Sequence, residues 1–296
     1  MVCGSMPGGG FAQTDATPVE MTLRSKVTEV RMTFSTTDQN NRVIASVQPS
    51  DFAIVDQDLV VRDFRSLTRS EYTRLDVAVL VDTSGSITPQ FRQELANVVQ
   101  LIAQSDGVPE ESFSVVSFRD LKPAVVCDGN CRALNMDAQF QAVTNGGQTP
   151  LYDSIVFASR MLARRSDLHA RKILILFSDG ADTISVKSFA DAMNSALDND
   201  IAVYSVDVSR QPHSAPGTLV LRSFAASTGG RYFPVEAGTS KVLDAILEDF
   251  HATYTVAYKL PSHAAGFHQV RILPTHNLSL QFHCRRGYYY PSNPEN

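Results

Sequence analysis

Leu75-Asp76-Val77-Ala78-Val79-Leu80-Val81-Asp82-Thr83-Ser84-Gly85-Ser86 is an apolar run that ends in a carboxylate and two hydroxyls. The run itself predicts a strand buried on both faces, as in a parallel sheet. Its ending predicts a cation site. Asp82, Ser84 and Ser86 alternate with two other residues, and in a tight loop that spacing turns three oxygens toward one point. Hard cations such as Mg²⁺ take oxygen donors in octahedral array and keep some water. A plainer reading of the same triplet has Asp82 capping the next helix while Ser84 and Ser86 close a turn.

Working outward, short apolar strands alternate with helical patterns from Arg74 to about Gly238, which predicts a mainly parallel sheet with helices on both faces. Strands are expected at Leu75 to Val81, Phe113 to Phe118, Pro123 to Cys127, Ile173 to Phe177 and Ile201 to Val208. Helical stripes run through Phe91, Leu95, Val98 and Ile102, with Thr88 as N-cap and Pro89 at the first position, and through Leu151, Ile155, Ala158 and Leu162. Two more run through Val186, Phe189, Met193 and Leu197, and through Val242, Leu243, Ile246 and Phe250. In such sheets ligands bind at the carboxyl ends of strands, where Asp82 and Asp179 both lie. Asp207, near another strand end, is either a further rim acid or a solvated one.

The flanks alternate with period two. Val30, Met32 and Phe34 lead one set; Tyr254, Val256, Tyr258 and Leu260 lead the other. Each set has one apolar face and neither is stable alone, so together they predict a sandwich. The expected organisation is residues 1–18 as a disordered segment or signal remnant, a discontinuous β domain from 19–70 and 251–291, and an α/β domain at 71–250 inserted between.

Composition narrows the function. The chain is 43% hydrophobic with net charge −5, which lacks the basic excess of a nucleic-acid binder. No stretch approaches the ~20 apolar residues of a membrane span. There is no phosphate-binding loop, nucleophile elbow or zinc-protease helix, and the seven histidines are scattered, so no enzyme is expected. Cys127 and Cys131 bracket a turn short enough for a disulfide, which suits an oxidising compartment, or are two surface thiols. Export to the periplasm, cell surface or medium is expected, with the cytoplasm as the alternative.

The D-x-S-x-S triplet resembles the metal-ion-dependent adhesion site of von Willebrand factor type A domains. That family adds a threonine from a second loop and an aspartate from a third strand end, and Thr149 in Gly147-Gln148-Thr149-Pro150 and Asp179 in Ser178-Asp179-Gly180 match in order. The resemblance implies a Rossmann-like fold and a Mg²⁺ site, with Mn²⁺ or Ca²⁺ as alternatives. Ser84 and Ser86 would bind through hydroxyls and Thr149 directly or through water, while Asp82 and Asp179 would orient bound waters. Thr83, Gly85, Gln148 and Gly180 would form the rim. A partner protein's carboxylate would complete the coordination. The flanks are similar to a narrower group, the VWFA-related proteins abundant in Acidobacteria, through Asp51-Phe52-Ala53-Ile54-Val55, Tyr254-Thr255-Val256-Ala257-Tyr258 and Arg286-Gly287-Tyr288-Tyr289. The expected function is metal-dependent protein binding. Two alternatives stay open: an assembly subunit beside an AAA+ ATPase, and a scaffold in which metal only ties loops together.

Overall fold

The computed structural model describes residues 29–61, 64–69, 73–85, 89–105, 108–141, 147–165, 167, 170–209, 215–235 and 239–291. Ser86 and the expected cap Thr88 lie outside them, as do residues 1–18. The first strands are β1 (Glu29–Thr37), β2 (Phe52–Asp56), β3 (Leu59–Val61) and β4 (Phe64–Arg69). An α/β succession follows: β5 (Leu75–Asp82), α1 (Pro89–Ala103), β6 (Phe113–Arg119), β7 (Lys122–Asp128), α2 (Met136–Gln141), α3 (Leu151–Ala163), β8 (Arg171–Ser178), α4 (Phe189–Asp198), β9 (Ile201–Asp207), α5 (Pro216–Thr228), β10 (Tyr232–Pro234) and α6 (Thr239–His251). The last strands are β11 (Tyr254–Lys259), β12 (Gly266–Pro274), β13 (Gln281–Cys284) and β14 (Gly287–Tyr290).

The central sheet has the order β10-β9-β8-β5-β6-β7 and is parallel except where β7 runs back along β6. Successive side chains of β5 point to opposite faces, and both faces are covered, which is why its apolar run is unbroken. Val77, Val79 and Val81 pack with Leu95, Val99 and Ile102 of α1 and with Ile246 and Phe250 of α6. Ala78 and Leu80 pack on the other face with Leu151, Ile155, Met193 and Phe224 from α3, α4 and α5. This is the Rossmann-like α/β architecture expected of the middle of the chain.

One helix boundary differs from expectation. Val186 lies outside α4 and is 91% exposed, because the helix begins only after Ser188, whose hydroxyl accepts the Asp191 amide while Asp191 caps in return. The segments α2, α5 and β10 carry no strong periodic signal in the sequence.

The flanking segments form two antiparallel sheets, β13-β1-β11-β4 and β14-β12-β2-β3. Phe34 anchors their shared core, its ring 5.3 Å from Phe52, 5.6 Å from Tyr254 and 5.7 Å from Phe282. Only residues 252 and 253 separate α6 from β11. At that junction the buried Asp249 carboxylate accepts from the Tyr204 hydroxyl and lies 3.5 Å from Arg231, which also donates to the Asn41 carbonyl at 2.7 Å. Buried polar groups thus tie the sheet of the α/β part to the antiparallel part.

Candidate metal centre

The ends of β5, β6 and β8 are level: Asp82 pairs with Phe118, and Val81 with Phe177. Beyond them β5 bends into a loop held by Thr83, whose amide and hydroxyl both donate to the Phe118 carbonyl, at 3.1 and 3.2 Å. Asp82 is wholly buried. Its Oδ1 accepts the Ser84 amide at 2.9 Å, the Ser84 hydroxyl also bonds the carboxylate, and its Oδ2 accepts the Ser178 hydroxyl at 2.9 Å. Ser178 Oγ in turn accepts the Gly180 amide at 3.0 Å. Asp179 is half-buried, with Oδ1 accepting the Ala181 amide at 3.0 Å.

Burial pushes the Asp82 carboxyl up to about 6 against the opposing pull of the Ser84 and Ser178 hydrogen bonds, and the nearby Asp179 charge adds to the rise. Among the described residues, neither acid is in an ion pair. Two neighbouring carboxylates at the open end of a sheet, with a hydroxyl oriented between strands, fit a hard divalent cation, which would relieve both the desolvation and the repulsion. Among the described residues no group of three or more His, Cys, Asp and Glu side chains is placed to hold a metal. The groups gathered at this end of the sheet mix carboxylates with hydroxyls.

Thr149 enters from the loop before α3 and is buried. Its amide donates to Thr183 Oγ1 at 2.7 Å and its carbonyl accepts the Thr183 amide at 2.9 Å. Further along, the Tyr152 amide donates to Asp182 and the Asp153 amide to Ser185, while Asp153 accepts the Val186 and Lys187 amides at 3.0 and 2.8 Å. The Thr149 loop and the segment after Asp179 are therefore strapped along their length. On the other side the Asp120 amide donates to the Gln148 carbonyl at 2.7 Å.

Gly180 adopts φ +77, and a Cβ there would stand 2.2 Å from the Gly217 carbonyl oxygen. A Cβ on Gly217 would stand 2.1 Å from the Asp179 carbonyl oxygen. The two glycines let the start of α5 abut the Asp179 turn.

At this end of the sheet Asp82, Thr83, Ser84, Thr149 and Gly180 are buried, Asp179 is half-buried, and Gly85 and Gln148 are exposed. Ser178, Thr183 and Asp153 are the positioning residues that the motif did not reveal. Ser178 was findable, because equal-length parallel strands bring it level with Asp82. Asp207 is neither a rim acid nor solvated: it is wholly buried and accepts the Thr218 hydroxyl at 2.7 Å and the Tyr232 hydroxyl at 2.8 Å. Cys127 and Cys131 are disulfide-bonded with Cα atoms 5.4 Å apart, at the opposite end of β6 from Phe118.

The chain has no match among curated protein sequences. Solved structures that resemble it include an aerotolerance-related membrane protein of Bacteroides fragilis, at 12% identity over 60% of this chain and 98% of that one, TM-score 0.47. BatB of Bacteroides thetaiotaomicron follows at 14%, 59% and 98%, TM-score 0.43. A mussel byssus proximal thread matrix protein, described with a zinc-occupied adhesion motif, is 18% identical over 66% of this chain and 50% of that one, TM-score 0.47. The profile of the von Willebrand factor type A domain, usually a metal-dependent protein-interaction module, matches residues 76–249. With well over half of its length matched, the chain belongs to the von Willebrand factor type A domain family.

Proposed function

We propose that this protein captures a partner protein through an Asp or Glu side chain whose oxygen completes the coordination of a Mg²⁺ held by Asp82, Ser84, Ser86, Thr149 and Asp179. Mn²⁺ suits the same oxygen donors. The hydroxyls bind the ion, the two aspartates orient its waters, and the module carries out no reaction. The observation that carries this reading is the buried Asp82 carboxylate, held by Ser84 and Ser178 beside Asp179 at the open end of the sheet. We divide the chain into an interaction domain at 71–250 and a discontinuous β domain at 19–70 and 251–291 that presents it. The Cys127–Cys131 bridge supports a location outside the cytoplasm, which disfavours the ATPase-subunit alternative.

The test is selection of displayed random peptides on the protein in Mg²⁺, followed by elution with chelator. Peptides with Asp or Glu at a shared position should be recovered, and Ser84→Ala or Asp179→Ala should recover none. Elution that ignores chelator, or peptides without a shared acid, would contradict the proposal. If metal raises the melting temperature yet no acidic peptide is retained, the ion serves only to tie the loops.

A further inference from the structure

The Arg231 side chain is only 2% exposed, yet its hydrogen bonding is incomplete. One terminal nitrogen lies 3.5 Å from the Asp249 carboxylate, and the other donates to the Asn41 carbonyl at 2.7 Å. Nε–H, the remaining edge of the guanidinium, has no partner among the described residues. A buried donor left unpaired costs free energy, and few native proteins keep one without an occupant beside it.

Arg231 lines a cavity of about 390 Å³ between the later turns of α5, β10 and the antiparallel part, a volume that suits a small molecule. Arg222 lines it too, with its guanidinium 4.7 Å over the Tyr232 ring. So does His283, whose Nε2 pairs with the Thr37 hydroxyl at 2.8 Å and so leaves Nδ1 for another bond. Burial holds the His283 imidazole below its ordinary pKa; the Asp249 charge opposes that and the Arg231 charge reinforces it. His283 therefore senses the same guanidinium. Among the described residues no Asp or Glu lines the cavity. The acids bonded to lining residues, Asp207 and Asp249, are wholly buried and already accept the Tyr232 and Tyr204 hydroxyls. Carbonyl groups at the end of α5, which would repel an anion, are partly taken up: Ala225 accepts the Gly230 amide and Ser227 the Arg286 amide.

From this cavity we infer a second ligand site, which takes a small organic oxyanion, a phosphate monoester or a carboxylate, on Arg231 Nε–H and the Arg222 guanidinium. Guanidinium groups make their strongest hydrogen bonds to such oxygens. Ala226, Pro234 and the Tyr232 ring line the same cavity and give the organic body of the ligand an apolar wall. The start of α5 abuts the metal end of the sheet through Gly217, whereas this cavity lies against its later turns, so the site does not depend on the metal.

The experiment titrates inorganic phosphate, phenyl phosphate and benzoate into the full chain in chelator, followed by calorimetry and by NMR of the arginine Nε–H signals. The Arg231 signal is assigned by its absence from Arg231→Lys. Phenyl phosphate or benzoate should bind more tightly than inorganic phosphate and shift the Arg231 Nε–H, and the tighter of the two tells phosphate from carboxylate. Arg222 is exposed, so Arg222→Gln should melt like the parent while binding that ligand about tenfold more weakly. Asp179→Ala should bind it as the parent does. No binding, an Arg231 Nε–H signal that stays in place, or equal binding by Arg222→Gln would overturn the site and leave that donor to water. Inorganic phosphate binding as tightly as both organic anions would overturn the apolar wall.

Discussion

Burial and the neighbouring Asp179 charge push the Asp82 carboxyl from 3.8 up to about 6, so the folded protein holds this proton more tightly than the unfolded chain does. Below 3.8 both forms are protonated; between 3.8 and about 6 only the unfolded chain has released the proton, and stability falls as pH rises through that window. Metal-free protein should therefore lose on the order of 3 kcal/mol from this group by neutral pH, read by denaturant unfolding in chelator at a series of pH values. Mg²⁺ should restore much of it at pH 7. Asp82→Asn should raise metal-free stability at pH 7 while abolishing the response to Mg²⁺; a variant less stable than the parent at pH 7 would show that the charge is already compensated. Gly217→Ala forces the start of α5 and the Asp179 turn apart, because its Cβ would meet the Asp179 carbonyl oxygen at 2.1 Å. It should cost about 2–4 kcal/mol and weaken Mg²⁺ binding, measured by thermal unfolding and calorimetry together.

At the scale of elements, the pairing of Asp153 with the Val186 and Lys187 amides does two things. It keeps that segment out of the helical conformation, and it locks the Thr149 loop to the Asp179 side of the site. Asp153→Ala should cost about 1–3 kcal/mol and speed amide hydrogen exchange at both residues, while an unchanged exchange rate would mean the strap is redundant. The same contact shows what was legible in the sequence. β5, β8, α1 and α3 were readable because each buries a full face or stripe, and the carboxylate at the end of β5 was readable because an apolar strand seldom ends in so polar a cluster. Helical spacing extends α4 to Val186 because it takes no account of a carboxylate supplied from the first turn of α3. The Ser188–Asp191 capping box was the local signal that marks the true start. α5 was hidden because it opens on Pro216-Gly217 and interleaves small residues with the few that it buries.

For the molecule as a whole, β4, the strand before the α/β part, pairs with β11, the strand after it, with Arg69 opposite Tyr254, so the α/β part enters and leaves side by side. The buried Asp249–Arg231 pair and the Tyr204 hydroxyl stiffen this junction. Asp249→Ala leaves Arg231 buried without its counter-ion and should cost about 3–5 kcal/mol. Circular dichroism should then separate one cooperative melt into two if the junction is what couples the parts. The disulfide lies away from the metal end, so Cys127→Ser/Cys131→Ser should lower stability by about 2 kcal/mol and leave Mg²⁺ affinity unchanged. The measurement that bears most directly on the whole account is a calorimetric titration of Mg²⁺ into chelator-treated protein and into Asp82→Asn. Saturable binding to one site in the parent, absent from a variant that still unfolds cooperatively, is the predicted result. No binding in the parent, or equal binding in both, would contradict a cation held at the end of β5.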